Sequence, residues 1–127
     1  MIVEIVFPYP PAALSPNSRR NFRAKARSVR EYRSDCYILG LEARGKNRAA
    51  FPLAPVVTAQ ATFVVRQERK RDADNHLSML KPLFDGLVDA RVLAGDDATL
   101  LRHKPVVFEK GTRREVRVTL EGGADGK

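Results

Sequence analysis

Val56-Val57-Thr58-Ala59-Gln60-Ala61-Thr62-Phe63-Val64-Val65-Arg66 is dense in β-branched residues, and that composition predicts a strand through the middle of the chain. Upstream, Ile2 to Phe7 predicts a first strand, after which Pro8, Pro10, Pro11 and Pro16 forbid regular structure and set a stiff surface loop. From Ala24 to Arg44 the apolar positions Val29, Tyr32, Cys36, Leu39 and Ala43 recur at three and four residues, the stripe of an amphipathic helix. Gly45 to Pro55 connects that helix to the central strand. Downstream, Leu77, Leu80, Phe84, Leu87 and Val88 again keep helical spacing, interrupted by Pro82. Either a regular helix begins near Met79 with Ser78 as N-cap, which places the proline in its first turn, or the helix kinks there. Arg102 to Glu109 and Arg114 to Leu120 read as two strands joined by a Lys110-Gly111-Thr112 turn. The order β-α-β-α-β-β makes the fold class α+β, a small single domain over residues 1–120 followed by a mobile Gly-rich tail at 121–127.

A chain of 127 residues is long enough to bury one core. No apolar run approaches the ~20 residues that span a bilayer, and the start lacks the basic region of a signal peptide. The expectation is a cytoplasmic protein with no membrane partner. Cys36 is the single cysteine, which excludes an internal disulfide and a cysteine-rich zinc site. The net charge of +8 and pI near 10.1 point to nucleic acid, since Lys and Arg release counterions from a phosphate backbone. The charge is clustered. Arg19, Arg20, Arg23, Lys25, Arg27, Arg30 and Arg33 face only one acid in their segment, Glu31. Arg66, Arg69, Lys70 and Arg71 form a second group, and Lys110, Arg113, Arg114 and Arg117 a third. Arginine predominates, which suits bidentate phosphate contacts. The expected DNA contacts are Arg19, Arg20, Arg23, Lys25, Arg27, Arg69, Lys70 and Arg71.

Against that basic background, six of the fifteen acidic residues (Asp72, Asp74, Asp85, Asp89, Asp96 and Asp97) fall between positions 72 and 97. Carboxylates gathered where a polyanion binds would repel it unless a divalent cation intervened, so the pattern reads as metal-dependent phosphodiester chemistry. If extended geometry persists past the central strand, Asp72 and Asp74 point to the same side, a beginning for Mg²⁺, with Mn²⁺ as a substitute. Asp96 or Asp97 can return after the helix to complete the site. A purely structural reading stands beside this one: Asp74 or Asn75 as an N-cap and Asp96-Asp97 as a surface turn. Asp85 and Asp89 read as solvated, with Asp85 also in reach of Lys81 at i, i+4. His76 and His103 have no paired spacing that supports a ligand or base role, and Tyr9, Tyr32 and Tyr37 read as packing residues. Glu68-Arg69-Lys70 has the E-x-K form of restriction-type nucleases, but the upstream acid that architecture needs is offered only by Asp35 and Glu42, both in the amphipathic helix.

Arg71-Asp72-Ala73-Asp74-Asn75, then Lys81-Pro82-Leu83-Phe84-Asp85-Gly86-Leu87, then Asp96-Asp97, resembles the RusA family of Holliday-junction resolvases, as does the early Phe7-Pro8-Tyr9-Pro10-Pro11. The resemblance covers most of the chain. It implies a small α+β homodimer, encoded largely by phages and prophages, that resolves four-way DNA junctions by paired, Mg²⁺-dependent nicks. It further implies that Asp72, Asp74 and Asp97 bind metal with Asp96 beside them, and that Lys81 is a catalytic lysine. One departure accompanies it. The compact family pattern puts the lysine four residues beyond the second aspartate, whereas Lys81 lies seven beyond Asp74. Three added helical residues turn the side chain by ~300° and advance it ~4.5 Å, about 60° short of its former bearing. Two other readings remain from the residues themselves: a non-catalytic basic DNA-binding module, and a nuclease of flaps or branched DNA without junction preference.

Overall fold

A computed structural model of the chain describes residues 1–16, 18–19, 21–46, 50–67 and 71–123. Its centre is β2 (Val57–Val65), whose alternate residues Val57, Ala59, Ala61, Phe63 and Val65 are buried. One edge of β2 pairs antiparallel with β5 (Glu115–Glu121), which pairs antiparallel with β1 (Ile2–Pro8). The other edge pairs in parallel with two short strands, β3 (Leu101–His103) and β4 (Val107–Lys110). The sheet order is therefore β1-β5-β2, followed by β3 and β4 together. The fold is a small α+β domain with a mixed sheet.

Two expectations are corrected here. The segment read as one strand from Arg102 to Glu109 is broken at Lys104–Val106, around Pro105, which has no N–H to continue a ladder. The strands on either side of the 110–112 turn do not form a hairpin; they flank β2 on opposite edges. The connection instead crosses the end of β2, where Gly111 N–H donates to the Val65 carbonyl at 2.8 Å. A Cβ at Gly111 would lie 2.5 Å from Val64 Cγ1, so the close crossing depends on glycine.

The helices cover one face. α1 (Phe22–Gly45) is capped by Asn21, whose side chain accepts the Ala24 N–H at 2.8 Å. It buries Tyr32, Cys36 and Gly40, and Tyr32 Oη donates to the Pro8 carbonyl at 2.7 Å, tying the helix to the end of β1. Burial pushes the Tyr32 hydroxyl upward and the Cys36 thiol up to about 12, so neither ionises near neutral pH.

The expected second helix is two. α2 (Ala73–Ser78) ends before Met79-Leu80, and α3 (Lys81–Asp89) starts afresh with Pro82 at its second position, where no N–H is needed. The proline does sit in a first turn, but Leu80 and not Ser78 precedes it as the cap. α3 buries Leu83, Phe84 and Leu87, each fully buried apolar side chain contributing ~1.5–3 kcal/mol. Helices α1 and α3 approach closely at Gly86, where a Cβ would stand 2.7 Å from the Arg33 carbonyl oxygen. α3 then stops in a Schellman turn. Val92 N–H donates to the Leu87 carbonyl and Arg91 N–H to that of Val88, both at 3.0 Å. Arg91 takes the left-handed position of that turn at φ 62°, where glycine is usual.

Candidate functional site

The connection from β2 to α2 carries the acidic motif. Extended backbone ends at Asp72, whose Oδ1 accepts the Asn75 N–H at 3.1 Å and so caps α2. Asp74 is already in the first helical turn. With Asp72 extended and Asp74 helical, the strand alternation that would set both carboxylates on one side ends at Asp72. The cap is Asp72 itself, and neither Asp74 nor Asn75. His76 Nδ1 donates to the Asp72 carbonyl at 2.8 Å, since a carbonyl can only accept. The His76 ring stands edge-on to Phe63 and Phe108, with centroids 5.0 and 4.9 Å away. Thus His76 buttresses the backbone of Asp72 from an aromatic floor.

The second acidic pair returns beside α3. Asp96 Oδ2 lies 2.5 Å from Lys81 Nζ, and Asp85 Oδ1 lies 2.9 Å from the same ammonium. Lys81 is held above the ordinary lysine value by its hydrogen bonds to Asp96 and then Asp85, and Asp96 below the carboxylate range by Lys81. Asp89 is not merely solvated: it takes a bidentate pair from Arg33 at 2.7 and 2.9 Å and is pushed down by it. Asp97 turns away to bond Thr99 through its N–H and hydroxyl, which lowers the carboxyl and makes it the cap of a surface turn.

The donor chemistry suits a hard divalent ion. Asp72 keeps Oδ2 beyond its cap bond, and Asp74 has no partner among the described residues. Mg²⁺ is commonly held by one or two carboxylates together with waters and phosphate oxygens. Among the described residues, however, no three acidic, His or Cys side chains converge on one point. Asp72 and Asp74 belong to one locus, Asp96 and Lys81 to another, and Asp97 to its own turn.

Asp72 lies in an open cleft of about 900 Å³ that sequence reasoning did not anticipate. Tyr9, Arg66, Arg71, His76 and Arg114 line it with Asp72. The Arg114 guanidinium stacks over the Tyr9 ring at 4.1 Å, and Arg71 stands 6.0 Å from the Phe108 centroid. These arginines come from the second and third basic clusters. From the first cluster, Arg19, Arg23 and Arg27 are exposed and Lys25 is half-buried, but none lines this cleft. Arg20, Arg69 and Lys70, together with Glu68 and the tail beyond Gly123, lie outside the described residues. Tyr9, read from sequence as a packing residue, does pack edge-on against Phe63 at 5.6 Å while also forming the cleft wall. His103, on β3, is edge-on to Phe84 at 4.7 Å, and burial lowers it.

No family model matches the chain. An uncharacterised protein of Xylella fastidiosa (strain Temecula1) is 26% identical over 118 residues, covering 93% of this chain and 75% of that protein. Among solved structures, thiamine-monophosphate kinase from Stenotrophomonas maltophilia K279a aligns with a TM-score of 0.34 at 13% identity. The alignment covers 96% of this chain and about 30% of the kinase, and a likeness that low carries no argument. No described helix is long and apolar enough to cross a membrane.

Proposed function

We propose that the chain is an endodeoxyribonuclease that hydrolyses phosphodiester bonds in branched DNA, with the four-way junction as its substrate and a homodimer as its working form. The observation that carries this reading is Asp72 placed in a cleft walled by Arg66, Arg71 and Arg114. A carboxylate set among guanidinium groups is where a phosphate can be gripped and a metal ion recruited together. The RusA-like order of Asp72, Asp74, Lys81 and Asp96-Asp97 supports the same reading.

In this proposal Asp72 and Asp74 would hold the cation, Mg²⁺ or Mn²⁺, and that ion would supply polarisation of a phosphoryl oxygen and activation of water. Arg66 and Arg71 orient the strand and offset its charge in the transition state. Lys81 fixes the 96–97 loop through Asp96, and its ammonium is the group to stabilise phosphate charge if it leaves that pair. His76 keeps the Asp72 backbone in place. Two protomers related by a twofold axis would each nick one of two symmetric strands.

A second reading has its own support. Lys81 already sits between Asp85 and Asp96, and three described carboxylates do not converge, which favours a DNA-binding module whose acids are structural. Incubating the protein with a labelled four-way junction and a matched linear duplex, with Mg²⁺ and with chelator, separates the two. Metal-dependent symmetric nicking of the junction supports the nuclease. Salt-sensitive binding without cutting in either metal supports the module, and equal cutting of all branched substrates removes the junction preference.

A further inference from the structure

The cleft holds a feature that phosphate binding alone does not use. Arg114 Cζ sits over the Tyr9 ring, 4.1 Å from its centroid and so within stacking distance, and Tyr9 is in turn braced edge-on by Phe63 at 5.6 Å. One face of the guanidinium is therefore occupied by the ring. Arg114 is exposed, has no acidic partner among the described residues and lines the same cleft as Asp72, so a ligand in that cleft can reach it. A delocalised planar cation backed by an aromatic ring is a stacking platform for a nucleobase. Bases inside a duplex are stacked on their neighbours and cannot offer a free face to it.

We infer that the Tyr9–Arg114 stack receives the base of an unpaired nucleotide in a DNA strand whose backbone runs along Arg66 and Arg71 past Asp72. The occupant is single-stranded or branch-point DNA and not regular duplex. A volume of about 900 Å³ lies at the upper end of the ~300–1,000 Å³ of ordinary ligand pockets, room for a nucleotide with its flanking phosphates. The inference rests on the proposed nuclease reading and deepens it, because it supplies a reason for preferring branched DNA over duplex: a branch, unlike regular duplex, can present an unstacked base next to a phosphate at Asp72. Arg114 acts here as a specificity-determining residue and not as a catalytic one.

The test is binding in chelator, so that cleavage plays no part. Fluorescence anisotropy compares a short oligothymidine, a four-way junction and a linear duplex on the wild type and on Arg114→Lys, which keeps the charge and removes the plane. Expected is a loss of about fivefold to tenfold for oligothymidine and junction, with duplex affinity changed less than twofold. Junctions carrying 2-aminopurine at the branch should show quenching on the wild type that Arg114→Lys loses. Equal weakening on all three DNAs makes Arg114 a plain phosphate contact and overturns the inference, as does unchanged junction affinity with 2-aminopurine unquenched. Absence of binding to any DNA sinks the nuclease reading itself. Intact junction cutting by Arg114→Lys with unaltered substrate preference sinks only the inference.

Discussion

Lys81 Nζ lies 2.5 Å from Asp96 Oδ2, an ion pair that fastens the first residue of α3 to the loop that follows it. Both side chains are well exposed, so solvent screens the pair and its contribution to stability is expected to stay under about 1 kcal/mol. Its pH range follows from the two shifts. Asp96 is depressed, so its share is present above the ordinary carboxylate value of 3.8 and lost as pH falls through the lower folded value. Lys81 is raised, so its share is present below 10.5 and lost as pH rises through the higher folded value. Urea unfolding of wild type and Lys81→Met should differ slightly at pH 7 and converge once Asp96 is protonated. A gap that persists in strong acid would assign the difference to packing of the lysine stem.

Asp72→Asn separates capping from chemistry. Asparagine caps a helix about as well as aspartate, so thermal stability should hold to within about 0.5 kcal/mol, whereas Asp72→Ala should lose ~1 kcal/mol. Junction cleavage by Asp72→Asn should fall at least about 100-fold, with junction binding equal or tighter because a negative charge near phosphate is gone. Retained cleavage in this variant would confine Asp72 to its cap.

Gly86→Ala should destabilise by about 1–3 kcal/mol. Its new methyl group would meet backbone of α1, at 2.7 Å from the Arg33 oxygen and 2.9 Å from the Tyr37 nitrogen, and backbone cannot swing aside as a side-chain tip can. Denaturant midpoints of the two proteins measure it. An unchanged midpoint would mean that α1 and α3 sit farther apart than described.

Arg91→Gly should stabilise. Arg91 holds φ 62° at the end of α3, a conformation that costs an L-residue ~1–2 kcal/mol and glycine almost none. Part of that gain is returned as entropy in the unfolded chain, leaving about 0.5–1 kcal/mol. Differential scanning calorimetry should register it as a higher Tm; a lower Tm would show that the exposed guanidinium makes a contact worth more than the strain.

The elements with strong periodicity were legible from residues alone. The stripe Tyr32, Cys36 and Leu39 marks α1, and the β-branched density of 57–65 marks β2. The break at Met79-Leu80 was not, because Leu77, Leu80 and Phe84 keep helical spacing whether or not the backbone between them is continuous. Strands β4 and β5 looked like a hairpin because neighbours in sequence usually pair, yet the crossing at Gly111 puts β2 between them. Of the candidate site, the acidic residues were found by composition, but their partners were not: Asp97 turns to Thr99, and Asp89 to Arg33. The Tyr9–Arg114 stack joins positions near opposite ends of the chain, and no local pattern announces such a pairing.

Among the described residues strand β1 has one neighbour in the sheet, β5, and β5 fills the place between β1 and β2. During synthesis, β1 and β2 leave the ribosome long before the strand that joins them. Until residues 115–121 emerge, β1 has no ladder to share, β2 has only β3 and β4 beside it, and Tyr9 cannot meet Arg114. The cleft is thus assembled by a late, long-range closure, which slows folding relative to a fold of local contacts. A partly made chain would carry the basic helix and the acidic motif without the wall that completes the cleft, so the order of translation itself withholds the cleft until the sheet is closed.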